Sequence, residues 1–173
     1  MSTRVVGVGQ PAAGDDAVGI AVVEWLRARP EAGRLDLHVA TEAGALLPLL
    51  ETADPVVIVD AVLVTGPPGD VYDLAPADLA RRGRSAWTSH GLGVAEVVEL
   101  AGVLGQCLAE LQVVGVGIAR PEGHRVGLSP AVAAAVPRAG GRVLALAGLA
   151  KSGLCPLLER SQLFALHEAM HRS

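Results

Sequence analysis

The chain has 173 residues, of which 51% are hydrophobic, 2% aromatic and 18% charged, and its formal net charge is −4. This composition excludes a disordered chain and predicts one domain with a core of Ala, Val and Leu. The absence of a basic block argues against nucleic acid as a partner, and no apolar run is long enough to span a membrane, so we expect a soluble cytoplasmic protein.

Hydrophobic periodicity predicts strands and helices that alternate along the chain. The predicted strands cover residues 4–8, 35–40, 55–60, 70–74 and 111–118, and the predicted helices cover 17–29, 45–52, 93–105 and 130–150. Such alternation is typical of an α/β three-layer sandwich, in which a mainly parallel, twisted sheet carries helices on both faces. We assign residues 1–150 to this domain and residues 151–173 to a C-terminal tail that is helical in part.

The first predicted strand runs into a glycine-rich turn that is followed by two adjacent carboxylates, Asp15 and Asp16. In a parallel α/β sheet this position is the carboxyl end of a strand, where ligands usually bind. A glycine turn before a helix commonly favours phosphate, because the N–H groups of the helix attract anions. Two acids there repel phosphate and suit a cation, although either acid alone could simply cap the helix.

Two further polar residues stand at predicted element ends. Asp60 closes the third predicted strand, and His90 precedes the helix over 93–105, with Thr88 or Ser89 as its cap. Alone, Asp60 could cap a turn and His90 could be an ordinary helix-start residue. In a doubly wound sheet both would share one edge with Asp16, and two carboxylates with an imidazole suit a divalent transition metal.

These residues lie in sequence blocks that together resemble the hydrogenase maturation endopeptidases. The resemblance covers about residues 4–150, and the blocks follow one another in the order found in that family. They are Gly7 to Gly19, Val57-Ile-Val-Asp60-Ala-Val, Ser89-His90-Gly-Leu-Gly, Val114-Gly-Val-Gly-Ile and Gly127-Leu-Ser-Pro.

The resemblance implies an endopeptidase that trims the C-terminus of the large subunit of nickel–iron hydrogenases. It implies that Asp16, Asp60 and His90 contact a nickel ion carried by the precursor subunit, so that the chain needs no cofactor of its own. Asp16 and Asp60 are then the candidate catalytic carboxylates of an aspartic-type protease, and Asp15 supports the loop or caps the helix. Either a carboxylate or the nickel could activate the attacking water.

The segment His167-Glu-Ala-Met-His171 supports a rival hypothesis, because it matches the H-E-x-x-H helix of zinc metallopeptidases. Two histidines four residues apart share one helix face and can bind zinc, with Glu168 as base. A catalytic zinc needs a third protein ligand, usually downstream, and only Arg172 and Ser173 follow. We therefore expect a chance match on a solvated helix.

Three other hypotheses remain at this stage. The chain could bind a nickel-loaded precursor as a checkpoint without cutting it, since binding and cleavage would use the same residues. The glycine turn could bind a dinucleotide with Asp36 on the ribose, but the acidic pair opposes a pyrophosphate. Serine catalysis by Ser89 and His90 lacks the nucleophile elbow of such hydrolases.

Overall fold

The computed structural model describes residues 2–76, 78, 93–120 and 126–149. They form a five-stranded sheet with the strand order β2-β1-β3-β5-β4. The strands β1, β2, β3 and β5 run parallel, and β4 pairs antiparallel with β5 at one edge. The predicted mainly parallel sheet is therefore confirmed. In chain order, the strands are β1 (Thr3–Val8), β2 (Leu35–Ala40), β3 (Val56–Leu63), β4 (Val71–Leu74) and β5 (Leu111–Ile118).

Helices cover both faces of the sheet, as predicted. One face packs against α1 and α3, and the other packs against α2 and the 3-10 helix Ala43–Leu50. The α-helices of the described part are α1 (Val18–Arg27), α2 (Val94–Val103) and α3 (Pro130–Leu146), and the 3-10 helices are Gly14–Ala17, Pro30–Arg34 and Ala43–Leu50.

The central strands are apolar on both sides, which explains their unbroken hydrophobic runs. Because neighbouring side chains of a strand point to opposite faces, Val5 packs with the α1–α3 layer and Val6 with the α2 layer. In β3, Val57 and Ile58 divide in the same way. This double burial is what a parallel sheet between two helical layers requires.

The start of the first helix differs from the prediction that an aspartate caps it. Residues Gly14–Ala17 form a 3-10 helix, and α1 follows with Ala17 at the N-cap position and no side-chain capping bond. The carboxylates of Asp15 and Asp16 are instead engaged with Ser129 and Gln10. Both acids therefore serve contacts outside α1.

Other predicted boundaries shift for local reasons. The segment predicted as a helix over 45–52 is the 3-10 helix Ala43–Leu50, which contains Pro48 and so lacks one backbone donor. The helix predicted over 130–150 ends at Leu146, and Gly148 follows with a φ of +69°. The predicted caps Thr88 and Ser89 of α2 lie outside the described residues.

The described residues between 2 and 149 belong to the predicted α/β domain, and the predicted tail over 151–173 lies outside them. Within the described ranges, no helix combines the length and the apolar character needed to cross a bilayer.

Candidate functional site

The candidate site lies where β1 and β3 are neighbours. After β1 the chain passes through α1 to β2 on one side, and β3 then pairs on the opposite side of β1. In open α/β sheets such a switch point leaves a crevice at the carboxyl ends of the strands, where ligands bind. The loop after β1 and the carboxyl half of β3 therefore form the mouth of the expected crevice.

Glycines bring this loop close to the strands. Gly9 has a φ of +149°, and a Cβ there would lie 2.0 Å from the carbonyl oxygen of Asp16. A Cβ on Gly19 would lie 2.3 Å from the carbonyl oxygen of Val8 and 2.4 Å from that of Val59. Since these neighbours are backbone atoms that cannot turn away, only glycine allows α1 to begin directly above β1 and β3.

Asp16 lies on the 3-10 helix of this loop, and this helix contacts β3. The backbone N–H of Gln10 donates to its Oδ2 atom at 2.8 Å. Within the described residues, no hydrogen bond occupies the Oδ1 atom of Asp16. The carboxylate is thus fixed by one oxygen and retains the other for a ligand.

Asp60 lies inside β3 rather than at its end, which corrects the sequence expectation. Strand β3 continues to Leu63 because β5 pairs with it as far as Ile118. On its other side, pairing with β1 stops at the Gly7–Val59 pair. Asp60 is therefore the first residue of β3 beyond the β1 ladder, at the height where the first loop begins.

The environment of Asp60 raises the pKa of its carboxyl group from 3.8 to about 7. Burial is the largest cause, because it disfavours the charged form, and the negative charge of Asp16 is the second. A hydrogen bond of 2.9 Å from the backbone N–H of Ala61 to Oδ1 acts in the opposite direction. The electrostatic influence of Asp16 indicates that the structure brings the two predicted carboxylates together.

The third predicted ligand, His90, lies outside the described residues. Among the residues that are described, no group of three or more His, Cys, Asp or Glu side chains is arranged to hold a metal ion. The described part of the site therefore consists of Asp16 and Asp60.

Asp15 has a partner that the sequence analysis missed. The backbone N–H of Ser129 donates to its Oδ1 atom at 2.5 Å, across 114 residues of sequence. Ser129 is the N-cap residue of α3. The Gly127-Leu-Ser-Pro block marked this helix start in the sequence, but no periodic pattern relates it to the first loop.

The dinucleotide hypothesis does not fit these contacts. The N–H of Gln10, in the turn where a pyrophosphate would bind, is already taken by a carboxylate. Asp36, the candidate ribose ligand, accepts a hydrogen bond from Arg4 Nε at 2.9 Å and lies 2.7 Å from His38 Nε2. The nearby His38 and Arg4 side chains lower the pKa of Asp36, because they stabilise its carboxylate form, and Asp36 is thus already engaged in an ion pair with Arg4.

Most of the chain matches a known protein family. The HycI family model, which describes hydrogenase maturation proteases, matches residues 22–146 of the chain. The chain belongs to the hydrogenase maturation protease family. Asp60 and His90 lie within the matched residues, whereas the loop with Asp15 and Asp16 precedes them.

Individual relatives agree with this family. The hydrogenase expression/formation protein HupD of Rhodobacter capsulatus is 30% identical over 133 residues, which are 75% of this chain and 63% of HupD. This chain therefore spans less than two thirds of the length of that curated relative.

Solved structures share the fold. The hydrogenase maturating endopeptidase HybD from E. coli has a TM-score of 0.65 and 28% sequence identity, with 84% of this chain and 91% of HybD covered. The hydrogenase 2 maturation peptidase of Thaumarchaeota archaeon SCGC_AB-539-E09 has a TM-score of 0.58 and 27% identity, with 86% and 99% covered.

Proposed function

We propose that this chain is an endopeptidase that removes the C-terminal extension of a nickel–iron hydrogenase large-subunit precursor. The observation that carries the proposal is the pairing of Asp16 and Asp60 at the switch point of the sheet, in a member of the hydrogenase maturation protease family. Nickel already present in the precursor is the recognition element. The chain then needs no metal of its own.

The two carboxylates suit recognition of a metal carried by another protein. Each uses one oxygen in a backbone hydrogen bond, Asp16 with Gln10 and Asp60 with Ala61, which fixes the direction of the group. The remaining oxygens supply two anionic ligands, and His90 is proposed as the third. Binding through the nickel would hold one peptide bond of the precursor at the site and gain from proximity.

The pKa of Asp60 suits the proton transfers of peptide hydrolysis. A group with a pKa near 7 exchanges a proton readily at neutral pH. We assign to Asp60, in the step in which its second oxygen is not bound to the nickel, the removal of a proton from the attacking water. The same proton passes to the leaving amine nitrogen when the C–N bond breaks, which regenerates the carboxylate. The precursor's nickel can assist by polarising the peptide carbonyl.

A processing assay tests the proposal directly. The purified chain is incubated with a precursor subunit prepared with and without nickel, and the C-terminal mass of the subunit is measured by mass spectrometry. We expect loss of a C-terminal peptide from the nickel-loaded precursor only. Asp16→Asn, Asp60→Asn and His90→Ala should each slow processing at least about 100-fold, as expected for a ligand or base.

Glu51→Gln is the matched control, because Glu51 is an exposed carboxylate outside the candidate site. It should process the precursor at the rate of the unmodified chain. Tight binding of nickel-loaded precursor without cleavage would replace the proposal by the checkpoint hypothesis. Cleavage of generic peptides that depends on zinc would replace it by the metallopeptidase hypothesis of residues 167–171.

We also propose the cytoplasm as the compartment of this reaction. Among the described residues, Cys107 is an exposed thiol that forms no disulfide, and thiols of this kind persist in reducing compartments. The proposed partner is the precursor subunit alone, with neither nucleic acid nor membrane required.

A further inference from the structure

We infer that Asp15 is a positioning residue for the proposed peptidase site. Its carboxylate ties the first loop to the start of α3 and thereby fixes the place of Asp16. The inference rests on the proposed function and adds a residue whose role is to hold another residue in position.

The bond itself joins distant parts of the fold. Asp15 Oδ1 accepts the N–H of Ser129, the N-cap residue of α3. The side chain of Ser129 makes no capping bond of its own. The contact is partly buried, where water competes less for a hydrogen bond than at an open surface. The 17-residue helix α3 therefore gives the carboxylate a rigid support.

The first loop is held at both of its ends. Near its start, the N–H of Gly9 donates to the carbonyl oxygen of Ala40 at 3.1 Å, which ties the loop to β2. Near its end, Asp15 ties it to α3. Between these ties the bond from Gln10 to Asp16 is internal to the loop and adds no outside support. Without the Asp15 tie, the 3-10 helix that carries Asp16 would keep its contacts with β3 and α1 but lose its hydrogen bond to the start of α3.

The geometry separates the tasks of the two adjacent acids. A 3-10 helix has three residues per turn, so the side chains of Asp15 and Asp16 leave its axis about 120° apart. The 3-10 helix that carries Asp16 contacts β3, whereas Asp15 accepts the N–H of Ser129 at the start of α3. One acid therefore faces the site, and the other faces the start of α3.

Three substitutions at one position test the inference. Asp15→Ala removes the acceptor and should slow processing of nickel-loaded precursor about 10-fold or more. Asp15→Asn keeps an oxygen acceptor without the charge and should stay within about 3-fold of the unmodified chain. Asp15→Glu keeps the charge but moves the acceptor by one methylene, so its rate should fall between the other two.

A binding measurement distinguishes positioning from a merely structural role. Dissociation constants for nickel-loaded and nickel-free precursor are measured for each variant by titration calorimetry. Misplacing Asp16 should weaken binding of the loaded precursor about 10-fold or more and leave binding of the nickel-free precursor unchanged. A general loss of structure would weaken both equally, and that result would overturn the inference.

Asp73→Ala is the matched control, because Asp73 also ties α3 to the sheet, through Arg142 near the other end of the helix. It should change thermal stability without changing the rate at which the folded protein processes the precursor.

If Asp15→Ala does not fold, the processing rates of Asp15→Asn and Asp15→Glu test the inference. An Asn variant as slow as expected for Ala, or a Glu variant as fast as the unmodified chain, overturns the inference. If the unmodified chain does not process the precursor, the proposed function fails instead.

Discussion

At the scale of single residues, the site depends on the environment of Asp60. Burial and the nearby charge of Asp16 disfavour the ionised form of its carboxyl group. Asp60 follows the last β1–β3 pair, so its carboxyl group is partly withdrawn from water and also lies near the charge of Asp16. Both effects favour the protonated form, and only one backbone N–H favours the carboxylate. At neutral pH about half of the folded molecules therefore keep a proton on Asp60 that the unfolded chain releases.

This difference predicts a pH-dependent stability that Asp60→Asn removes. Because the pKa of Asp60 is higher in the folded state, its favourable contribution is complete below about pH 4 and is lost as the pH rises through about 7. At pH 8 the Asn variant should be more stable than the unmodified chain by about 4 kcal/mol, because each pKa unit between 3.8 and about 7 is worth about 1.4 kcal/mol, and at pH 4 the two should be similar. Urea unfolding of both proteins at pH 4, 6 and 8 measures the difference.

Asp36→Asn is a control for which the expected pH dependence of stability has the opposite sign. The pKa of Asp36 is lowered in the folded state, so its contribution is present above its ordinary pKa and is lost when the pH falls. If the stability difference between the unmodified chain and Asp60→Asn does not change between pH 4 and 8, the assignment of a raised pKa to Asp60 is wrong.

At the scale of elements, the start of α1 is packed closely against the strands of the sheet. It begins after a 3-10 turn, and its first turn lies against the backbones of β1 and β3. Helical glycines are usually unfavourable, because they lose more conformational entropy than alanine. Gly19 nevertheless occupies the first turn of α1, because a residue without a side chain lets the helix contact the backbones of β1 and β3. This contact places Asp16 beside β3.

Two glycine substitutions separate the entropic effect of a helical glycine from the effect of close packing at Gly19. Gly19→Ala should lower the free energy of unfolding by about 3 kcal/mol, since a Cβ would collide with two carbonyl oxygens. Gly141→Ala, within α3, meets no atom within 4 Å and should raise the free energy of unfolding by about 0.5–1 kcal/mol. Thermal or urea unfolding measures both. Equal effects of the two substitutions would contradict the close packing of α1.

At the scale of the whole molecule, the sheet is covered on both faces by helices within residues 2–149. The paired carboxylates are positioned by β1, β3 and α3, all of which lie in that range. The residues proposed for the chemistry, Asp16, Asp60 and His90, include none from the H-E-x-x-H segment.

We accordingly predict that the double variant His167→Ala, His171→Ala processes nickel-loaded precursor within about 2-fold of the unmodified rate. The physical reason is that neither histidine belongs to the elements that hold Asp16 and Asp60. The C-terminal mass assay measures the rate, with Asp16→Asn as the inactive comparison. Complete loss of processing in the histidine variant, together with a lost zinc site, would contradict this prediction.

The sequence by itself determined the elements and the chemical character of the loop. The strands β2 and β5 were predicted with the observed bounds for different reasons. Apolar and polar residues alternate in the edge strand β2, whereas double burial gives β5 a nearly unbroken apolar run. The acidic, glycine-rich character of the first loop, which opposes phosphate, could likewise be inferred, since charge and glycine content are local properties. The resemblance named the family that the comparisons confirm.

Only the tertiary structure decided which part of the fold each of the two acids contacts. The sequence left Asp15 and Asp16 as alternative caps of α1, and neither caps it. Asp15 instead contacts Ser129, and Asp16 instead acts on Asp60, which lies inside a strand that β5 prolongs. These outcomes depend on which distant segments become neighbours. Local periodicity carries no information about such pairings, because they arise from the order of strands in the sheet.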